Sequence, residues 1–432
     1  MNDRVEIGMP GNEAGGAAAW LVCATCNATQ PLGAAFWGCA ACAARGRWGT
    51  LEVAYAPTLV ERAWAGWPTQ GRRASGATLW DQPGLLPPVA EPHRLSLGEG
   101  GTALLRLEPI RRAAGIAELY LKNEGGNPTW AHKDRFHAVA VAMAAGLGYA
   151  RVVSASTGNH GASMAAYGAL HGLRALVLCH EETPPLLTDL MRAFGATVVQ
   201  TDQAAREALL GALVAQHGWY PATSPALPPV ANPYGAEGYK TLAYEIVEGL
   251  GGQAPAHVLT PTAAGDGLRG MWRGFRELHA AGLIGRLPRL HSCQPAAVAP
   301  LVRAWEGGQP DVVELASGRS RALSIGDRIS GSHALAAVRA SGGSGIAVDE
   351  EEIEQAQRLL ARCGLAVESA SAAPVAGALR LRAALNGDVE GPVVCVLTSA
   401  AIKWPAEMAG LARGKLLRDL RSLDELEAHG VL

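Results

Sequence analysis

Between residues 119 and 397, short apolar runs alternate with helical patterns of about a dozen residues. The apolar runs lack the polar-apolar alternation of a strand with one wet face, which is typical of parallel strands covered on both faces. The alternation therefore predicts an α/β fold with helices on both faces of parallel sheets. Strands are predicted at 119–121, 151–154, 175–179, 197–199, 256–260, 289–293 and 393–397, and helices at 136–147, 160–171, 184–194, 203–217, 237–249, 267–281, 350–362 and 370–384.

A proline-rich segment at 223–229 separates two sets of this alternation, which predicts two doubly wound α/β lobes. With 432 residues, the chain is long enough for two such cores and a small appendage. Residues 57–92 have weak periodicity and are interpreted as a connecting arm. We predict an N-terminal zinc ribbon at 1–56, a large lobe from 57–135 and 235–405, a small mobile lobe at 136–234 and a helical C-terminal tail at 406–432.

Four of the eight cysteines form two C-x2-C pairs near the N-terminus. Each pair can place two thiolates on one tight turn, and two such turns close a tetrahedral zinc site. The alternative is two disulfides, which residues 1–16 disfavour because they lack the basic-then-apolar layout of a secretory leader. Four sulfur ligands leave no open position for a substrate, so the zinc would be structural. The predicted ligands are Cys23, Cys26, Cys39 and Cys42.

Charge and hydropathy indicate which classes of molecule the protein can bind. The formal net charge is -2 and neither half of the chain carries a basic stripe, so we expect no nucleic-acid or membrane-surface partner. No run of 18 apolar residues free of charges and prolines predicts a membrane span. We expect a cytoplasmic protein that acts on a small molecule.

One lysine, Lys133, lies at the end of a strand-turn-helix unit: a turn at 125–128 follows the apolar run at 119–121 and leads into the helical pattern. Ligands of doubly wound folds bind at such strand ends. A lysine taken out of water has a lowered pKa, because burial disfavours the ammonium, and a neutral amine can condense with an aldehyde. The alternative is an ordinary solvated charge at a helix start.

Three further strand ends have unusual composition. The segment 154–163 is rich in small hydroxyl residues and contains Asn159; it is either a ligand contact or an ordinary helix cap. In the 263–267 loop, small residues expose backbone amides at a helix N-terminus, which favours an anion, or the loop is a glycine turn with no ligand. Within it, Asp266 opposes an anion unless its side chain points away. The run 393–397 ends in Thr398. The loop residues are Ala263, Ala264, Gly265, Asp266 and Gly267.

A single ligand accounts for all four elements. It needs an aldehyde for Lys133, a flat polar ring beside Asn159, a phosphate at the 263–267 loop and a ring nitrogen at Thr398. Pyridoxal 5'-phosphate carries these groups, and a neutral hydroxyl at its nitrogen would moderate its capacity as an electron sink.

Over residues 95–405 the chain resembles the threonine synthase-like members of the fold type II (tryptophan synthase β-like) pyridoxal phosphate enzymes. The motifs include Leu97-Gly-Glu-Gly-Gly-Thr102, Asn127-Pro-Thr and Lys133-Asp-Arg. The resemblance implies Lys133 as the Schiff-base lysine, Asn159 as the partner of the phenolic oxygen, the 263–267 loop as the phosphate site and Thr398 as the nitrogen partner. It also implies a homodimer. Candidate substrate-binding residues are Trp130, His132, Ser156 and Thr157.

Two departures from the family pattern concern the substrate. The usual Asn-Pro-Thr-Gly-Ser-Phe-Lys reads Asn-Pro-Thr-Trp-Ala-His-Lys here, so Ala131 replaces a hydroxyl that grips substrate oxyanions in the family. His132, beside the lysine, is either a second acid-base group or a packing residue. The usual Thr-Gly-His-Gly-Leu-Lys-Asp-Pro reads Thr-Ser-Ala-Ala-Ile-Lys-Trp-Pro at 398–405, without the histidine. Both changes argue against O-phosphohomoserine.

These observations predict a lyase that catalyses β- or γ-elimination or replacement on an amino acid, either threonine synthesis or a related reaction on another substrate. Two alternatives use the same residues: an ammonia-lyase acting on serine, threonine or diaminopropionate, and a cysteate synthase-like β-replacement on O-phosphoserine or an activated serine. A third, from a different class, is a zinc-ribbon adaptor that keeps the fold without the chemistry.

Overall fold

The computed structural model describes residues 18–65, 67, 78–81, 84–156, 158–387, 389–414 and 416 of the chain. Its strands form three separate sheets. In chain order the strands are β1 (Ala19–Cys23), β2 (Thr29–Gln30), β3 (Leu51–Tyr55), β4 (Leu104–Leu105), β5 (Leu119–Asn123), β6 (Arg151–Ala155), β7 (Arg174–Cys179), β8 (Thr197–Gln200), β9 (Tyr220–Pro221), β10 (His257–Pro261), β11 (Arg289–Pro295), β12 (Gly345–Val348) and β13 (Val393–Leu397).

Helices cover the sheets and connect their strands. In chain order they are α1 (Ala40–Ala43), α2 (Pro57–Trp64), α3 (Glu108–Ala114), α4 (Lys133–Gly146), α5 (Asn159–Leu170), α6 (Pro185–Ala193), α7 (Gln203–His217), α8 (Gly235–Gly238), α9 (Lys240–Gly249), α10 (Asp266–Ala280), α11 (Pro300–Glu306), α12 (Ser332–Ala340), α13 (Glu350–Arg362), α14 (Ser369–Ala384) and α15 (Pro405–Leu411). None of the helices in the described part is long and apolar enough to cross a membrane.

The larger sheet has six strands in the order β12-β11-β10-β13-β5-β4. Five strands are parallel, as predicted, whereas β4 pairs antiparallel with β5 at the edge. The all-apolar β13 lies inside this sheet and is buried at every position, which explains its uninterrupted hydrophobic sequence. Because the central strands are parallel, the carboxyl ends of β5, β13 and β10 meet at one edge. That edge carries the Lys133 turn, Thr398 and the 263–267 loop.

The smaller sheet has four parallel strands in the order β8-β7-β6-β9. Its central strand β6 is followed in the chain by α5, which begins at Asn159. The mixed architecture of two helix-covered parallel sheets confirms the predicted α/β class. The domain boundaries and the mobility of the small lobe stay predictions, and most of the predicted tail at 406–432 lies outside the described residues.

Several elements differ from the sequence prediction. Helix α4 begins at Lys133, three residues before the predicted start, so the lysine is part of the helix rather than a residue before it. The predicted helix at 237–249 is divided at Tyr239 into α8 and α9. The predicted arm at 57–92 contains the helix α2, with Pro57 in its first turn. Helices α3, α11 and α12 have no counterpart in the prediction.

The N-terminal strands form a small antiparallel sheet, the ribbon, in the order β2-β1-β3. The ribbon segment contacts elements of both larger α/β units. On one side, Glu52 of β3 pairs with Arg269 and with Arg273 of α10. On the other side, the ring of Phe36 packs edge-on against Tyr220 of β9, with ring centroids 4.8 Å apart. The ribbon therefore touches the helix that begins at the 263–267 loop.

Candidate active site

The start of α4 is fixed by a buried network of charged side chains. Arg135 is fully buried; its Nε donates to Glu124 Oε2 at 2.6 Å and its Nη2 to Glu245 Oε2 at 2.7 Å. Lys122 of β5 also donates to Glu245, at 2.6 Å. The two cations hold the pKa of each buried carboxyl below its usual value. The network joins α4 to β5 and α9 and so fixes the position of the helix that carries Lys133.

A second buried clamp closes the turn before the helix. The carboxylate of Asp134 accepts hydrogen bonds from the amide and hydroxyl of Thr129, at 2.7 and 2.6 Å, and from Ser163 Oγ of α5 at 2.6 Å. Burial raises the pKa of Asp134 to about 6 despite these donors. Lys403 Nζ donates to the Thr129 carbonyl at 2.6 Å. These contacts hold the turn from two sides: Ser163 belongs to α5 beside the smaller sheet, and Lys403 follows β13 of the larger sheet.

The amine of Lys133 lies inside the structure rather than in bulk solvent. Its side chain is half-buried, and its Nζ lies 5.8 Å from the ring centroid of Tyr239. Burial lowers the pKa of Lys133, while the carboxylates of Asp266, Asp327 and Glu368 oppose the shift. A lowered pKa increases the fraction of neutral amine, which is the form that condenses with an aldehyde.

His132 is held by two contacts next to the lysine. Its Nδ1 lies 3.2 Å from the Thr398 carbonyl oxygen, and its ring stacks on Tyr239 with centroids 5.1 Å apart. Burial and the neighbouring Lys133 keep the pKa of His132 well below its usual value. A neutral, stacked imidazole fits the packing interpretation better than the acid-base one.

Asn159 begins α5 and faces the end of β13. Its Nδ2 donates to Glu368 Oε2 at 2.8 Å and to Ser399 Oγ at 3.2 Å. Its buried Oδ1 has no hydrogen-bond partner among the described residues, so this oxygen can accept a hydrogen bond from a ligand.

Ser156, a hydroxyl residue of the same turn, contacts the start of α5. Ser156 Oγ accepts the amides of Gly158 and Gly161 at 3.2 and 3.0 Å, so it caps α5. Thr157, the other predicted substrate contact of this turn, lies outside the described residues. A substrate-binding role of Ser156 stays a prediction.

The 263–267 loop brings backbone amides to the N-terminus of α10. Gly265 has φ +102°, and a Cβ there would lie 2.2 Å from Ala334 Cβ, so both its conformation and its space require glycine. Asp266 Oδ1 lies 3.1 Å from His333 Nε2, an ion pair when the imidazole is protonated. This contact holds the carboxylate that would otherwise oppose an anion on the loop. The N-terminus of α10 is therefore available to bind an anion.

Thr398 follows β13 at the same edge and is buried. Its Oγ1 lies 3.0 Å from Ser371 Oγ of α14, and its carbonyl accepts the His132 amide at 2.8 Å. Between them, Ala131 and Ser399 form a β-bridge, with Ala131 fully buried. The strand end and the lysine turn are thus one hydrogen-bonded unit.

Trp130 has an exposed indole and a positive φ of +57°. Its carbonyl accepts the Ala400 amide at 3.0 Å, which holds the backbone in this conformation. A bulky residue rarely adopts this left-handed backbone conformation, so contacts with neighbouring residues must stabilise it. Its predicted contact with a substrate stays a prediction.

The sequence prediction missed the groups that reach the site from distant segments. Glu368 is paired with Asn159 across 209 positions, and Asp327 acts on Lys133 from the loop before α12. Tyr239 reaches His132 and Lys133 from the break between α8 and α9. Asp327 and Tyr239 belong to no local pattern, whereas Glu368 lies in the family-like stretch Val-Glu-Ser-Ala-Ser-Ala at 367–372.

The four cysteines of the ribbon converge as predicted, with all their Sγ atoms within 4.8 Å of one another. The Sγ–Sγ distances of Cys23 to Cys42 and of Cys26 to Cys39 are 3.6 Å, too long for a disulfide bond. Tetrahedral zinc with Zn–S bonds of about 2.3 Å separates its sulfurs by about 3.8 Å. A Cβ on Gly49 would lie 2.7 Å from two of the sulfurs, so the glycine makes room for the cluster. The donor set and the spacing fit zinc.

Comparison with known proteins decides the family. The model of the pyridoxal-phosphate dependent enzyme family matches residues 95–399. This chain belongs to that family. Threonine synthase of Methanocaldococcus jannaschii is 36% identical over 334 residues, 76% of this chain and 81% of the relative. Threonine synthase of Methanosarcina acetivorans is 32% identical over 394 residues, 89% of this chain and 92% of the relative.

A solved structure of the same fold is a fungal L-serine ammonia-lyase from Rhizomucor miehei, with a TM-score of 0.63 and 18% identity. The alignment covers 72% of this chain and 96% of that one. The chain is therefore a pyridoxal phosphate-dependent enzyme of the fold type II group, and its class of chemistry is elimination or replacement. The residues at the strand ends fit the cofactor, since an amine, an amide with an unpartnered oxygen, an anion-binding helix N-terminus and a hydroxyl converge there.

Proposed function

We propose that this enzyme catalyses elimination or replacement on an amino acid whose leaving group is not phosphate, in a threonine synthase-like mechanism with Lys133 as catalytic base. The observation that supports it most is the half-buried Lys133 side chain at the start of α4, on the sheet edge that also carries the 263–267 loop and Thr398. Its surroundings support the restriction on the leaving group.

The residues of the chain would share the work as follows. The α10 N-terminus would bind the cofactor phosphate, Asn159 the phenolic oxygen and Thr398 Oγ1 the ring nitrogen. When bound, pyridoxal phosphate supplies an electron sink for the carbanion that remains after the α-proton leaves. Lys133 Nζ would accept that proton, and its lowered pKa increases the fraction of free amine. His132 would orient the lysine turn through its contact with the Thr398 carbonyl.

Negative charge around the amine supports a substrate without a phosphate leaving group. Asp266, Asp327 and Glu368 all act electrostatically on Lys133. Burial raises the pKa of Asp327, while Arg206 of α7 and Lys133 oppose that shift. Glu368, which lies beside Asn159 rather than on the phosphate loop, would repel a departing phosphate dianion. Ala131, which is fully buried, offers no hydroxyl to grip it.

A screen of candidate substrates on the cofactor-loaded enzyme tests this proposal. We expect serine, threonine, diaminopropionate or O-acetylated analogues to shift the visible spectrum of the bound cofactor, and O-phosphohomoserine and O-phosphoserine to leave it unchanged. Release of pyruvate or oxobutyrate without a second reactant would identify an ammonia-lyase; a requirement for a thiol, sulfite or amine would identify a replacement enzyme. Formation of threonine and phosphate from O-phosphohomoserine would contradict the proposal.

The cysteine cluster, the assembly and the location complete the proposal. We propose that Cys23, Cys26, Cys39 and Cys42 hold a structural zinc ion, because four converging thiolates are a closed tetrahedral donor set. We also propose a homodimer, which the family resemblance implies, in the cytoplasm. Metal analysis of the purified protein and its sedimentation in solution test the first two.

A further inference from the structure

Tyr239 differs from the other fully buried tyrosines in the hydrogen bonding of its hydroxyl group. Its Oη is buried and has no partner among the described residues. Four comparable phenols each have one at close range: Tyr167 Oη donates to Glu99, Tyr244 to Glu277, Tyr234 to the Gly33 carbonyl, and Tyr220 lies within reach of Asn232. An unpaired buried hydroxyl is unfavourable, so such a group in a binding site indicates a partner that a ligand supplies.

The ring of Tyr239 lies in the corner between Lys133 and the first turns of α10. It stacks on His132 and lies 5.8 Å from Lys133 Nζ. At its base, a Cβ on Gly270 would lie 2.6 Å from Tyr239 Cβ, so a glycine on α10 lets the tyrosine backbone approach the helix. The His132 ring in turn lies 3.7 Å from where a Cβ on Gly267 would be. The tyrosine is therefore packed against the helix that carries the anion-binding N-terminus.

Electrostatics decide whether the hydroxyl donates or accepts. Burial and the Asp266 carboxylate raise the pKa of Tyr239 well above its usual value, so the phenol keeps its proton. A protonated phenol on a residue that packs against α10 is a donor suited to an anionic oxygen, because a hydrogen bond to a charged acceptor is stronger than one to a neutral acceptor.

We propose that Tyr239 is a binding residue of the cofactor site, whose Oη donates a hydrogen bond to the phosphate ester of pyridoxal phosphate at the α10 N-terminus. This inference rests on the cofactor site described above and adds to it a group that no local sequence pattern predicts. Tyr239 itself lies at the break between α8 and α9.

The test compares Tyr239→Phe with Tyr244→Phe, whose phenol already donates to Glu277 at 2.5 Å. For Tyr239→Phe we expect a cofactor-free protein at least as stable as wild type, since no internal hydrogen bond is lost. Its Kd for pyridoxal phosphate should rise roughly ten- to hundredfold, the range of one hydrogen bond to a charged acceptor. For Tyr244→Phe we expect the reverse, a less stable cofactor-free protein with an unchanged Kd.

Titration with pyridoxal, which lacks the phosphate, identifies the acceptor. The Kd for pyridoxal should be the same in wild type and Tyr239→Phe. An equal rise for both compounds would overturn the phosphate assignment, and a change confined to substrate binding would place the acceptor on the substrate. A Tyr239→Phe protein that is destabilised with an unchanged Kd would show an internal partner and also overturn it. Failure of the wild type to bind pyridoxal phosphate would refute the cofactor site itself.

Discussion

The Lys133 turn and the cysteine ribbon both hold reactive atoms in place, but by different means. At the turn, protein groups alone provide the partners: Arg135 is paired with Glu124 and Glu245 before any ligand is considered. In the ribbon, four thiols face one another around a point that suits a metal ion. The turn should therefore keep its geometry without the cofactor, whereas the ribbon should depend on its metal. Because the lysine turn is already ordered by protein contacts, we expect cofactor binding to change the structure only around the site.

Removal of the metal should have the largest effect on stability. Cys39→Ser, or treatment with a strong chelator, is expected to unfold the ribbon, since zinc contributes on the order of 10 kcal/mol to isolated zinc modules. Limited proteolysis between residues 24 and 50 would measure this, while the visible band of the bound cofactor should persist. Cys363→Ser, at an isolated half-buried cysteine, is the matched control. A zinc-free wild type whose ribbon resists protease would contradict this side of the comparison.

Disruption of the buried ion network should have the next largest effect. Arg135→Met leaves Glu124 and Glu245 without their shared cation and is expected to lower the free energy of unfolding by about 3–5 kcal/mol. Urea unfolding measures the change. Glu108→Gln, which breaks an exposed pair with Arg111, should cost less than about 1 kcal/mol. Equal effects of the two variants would show that the network does not fix the turn.

Acid should weaken the region around the lysine through its buried histidines. Burial lowers the pKa of His160 to about 3, and those of His132 and His137 are also lowered. Such groups stabilise the fold fully above their unfolded pKa of about 6.5. That contribution is lost as the pH falls from about 6.5 towards 3, by roughly 3 kcal/mol at pH 4 for His160 alone.

Unfolding curves between pH 4 and 7 measure this loss, and His160→Gln should flatten the decline in stability. His180→Gln, at a partly exposed histidine, should leave the decline as it is in wild type. If the wild type and His160→Gln lose stability in parallel, the imidazole is not held neutral by burial.

The smallest expected effect concerns the cap of α5. Ser156→Ala removes the acceptor of two backbone amides and should cost about 1 kcal/mol of stability, as for other helix caps. The Kd for pyridoxal phosphate should not change. Thr188→Ala, whose hydroxyl donates to a backbone carbonyl in the exposed first turn of α6, is a surface control. A raised KM with unchanged stability would instead support the predicted substrate contact.

The sequence predicts the fold well where local signals agree with packing. Helix α7 and strand β13 begin and end at the predicted residues, because clear periodicity or an unbroken apolar run marks them. The start of α4 was displaced because His132 enters the helix with an αR backbone and no side-chain cap, so no capping residue marks the boundary. In α2, Pro57 in the first turn is the local signal of a helix start.

The site could be predicted only where its residues form compact motifs. Lys133, Asn159 and the 263–267 loop follow strands directly, and the topology of parallel sheets brings strand ends together. Glu245 and Arg135, by contrast, are 110 positions apart, and nothing near either residue indicates a buried partner. Tyr239 was missed for the same reason, since stacking on His132 depends on the crossing of α4, α8 and α10.

The central claim is that the Lys133 amine joins the cofactor covalently. Reduction of the cofactor-loaded enzyme with borohydride, followed by peptide mapping with mass spectrometry, tests it directly. We predict one pyridoxyl group, on Lys133, and none after reduction of Lys133→Ala. The nearby Lys403, whose pKa burial lowers to about 8, is the competing amine. A label on Lys403, or an undiminished label in Lys133→Ala, would contradict the account.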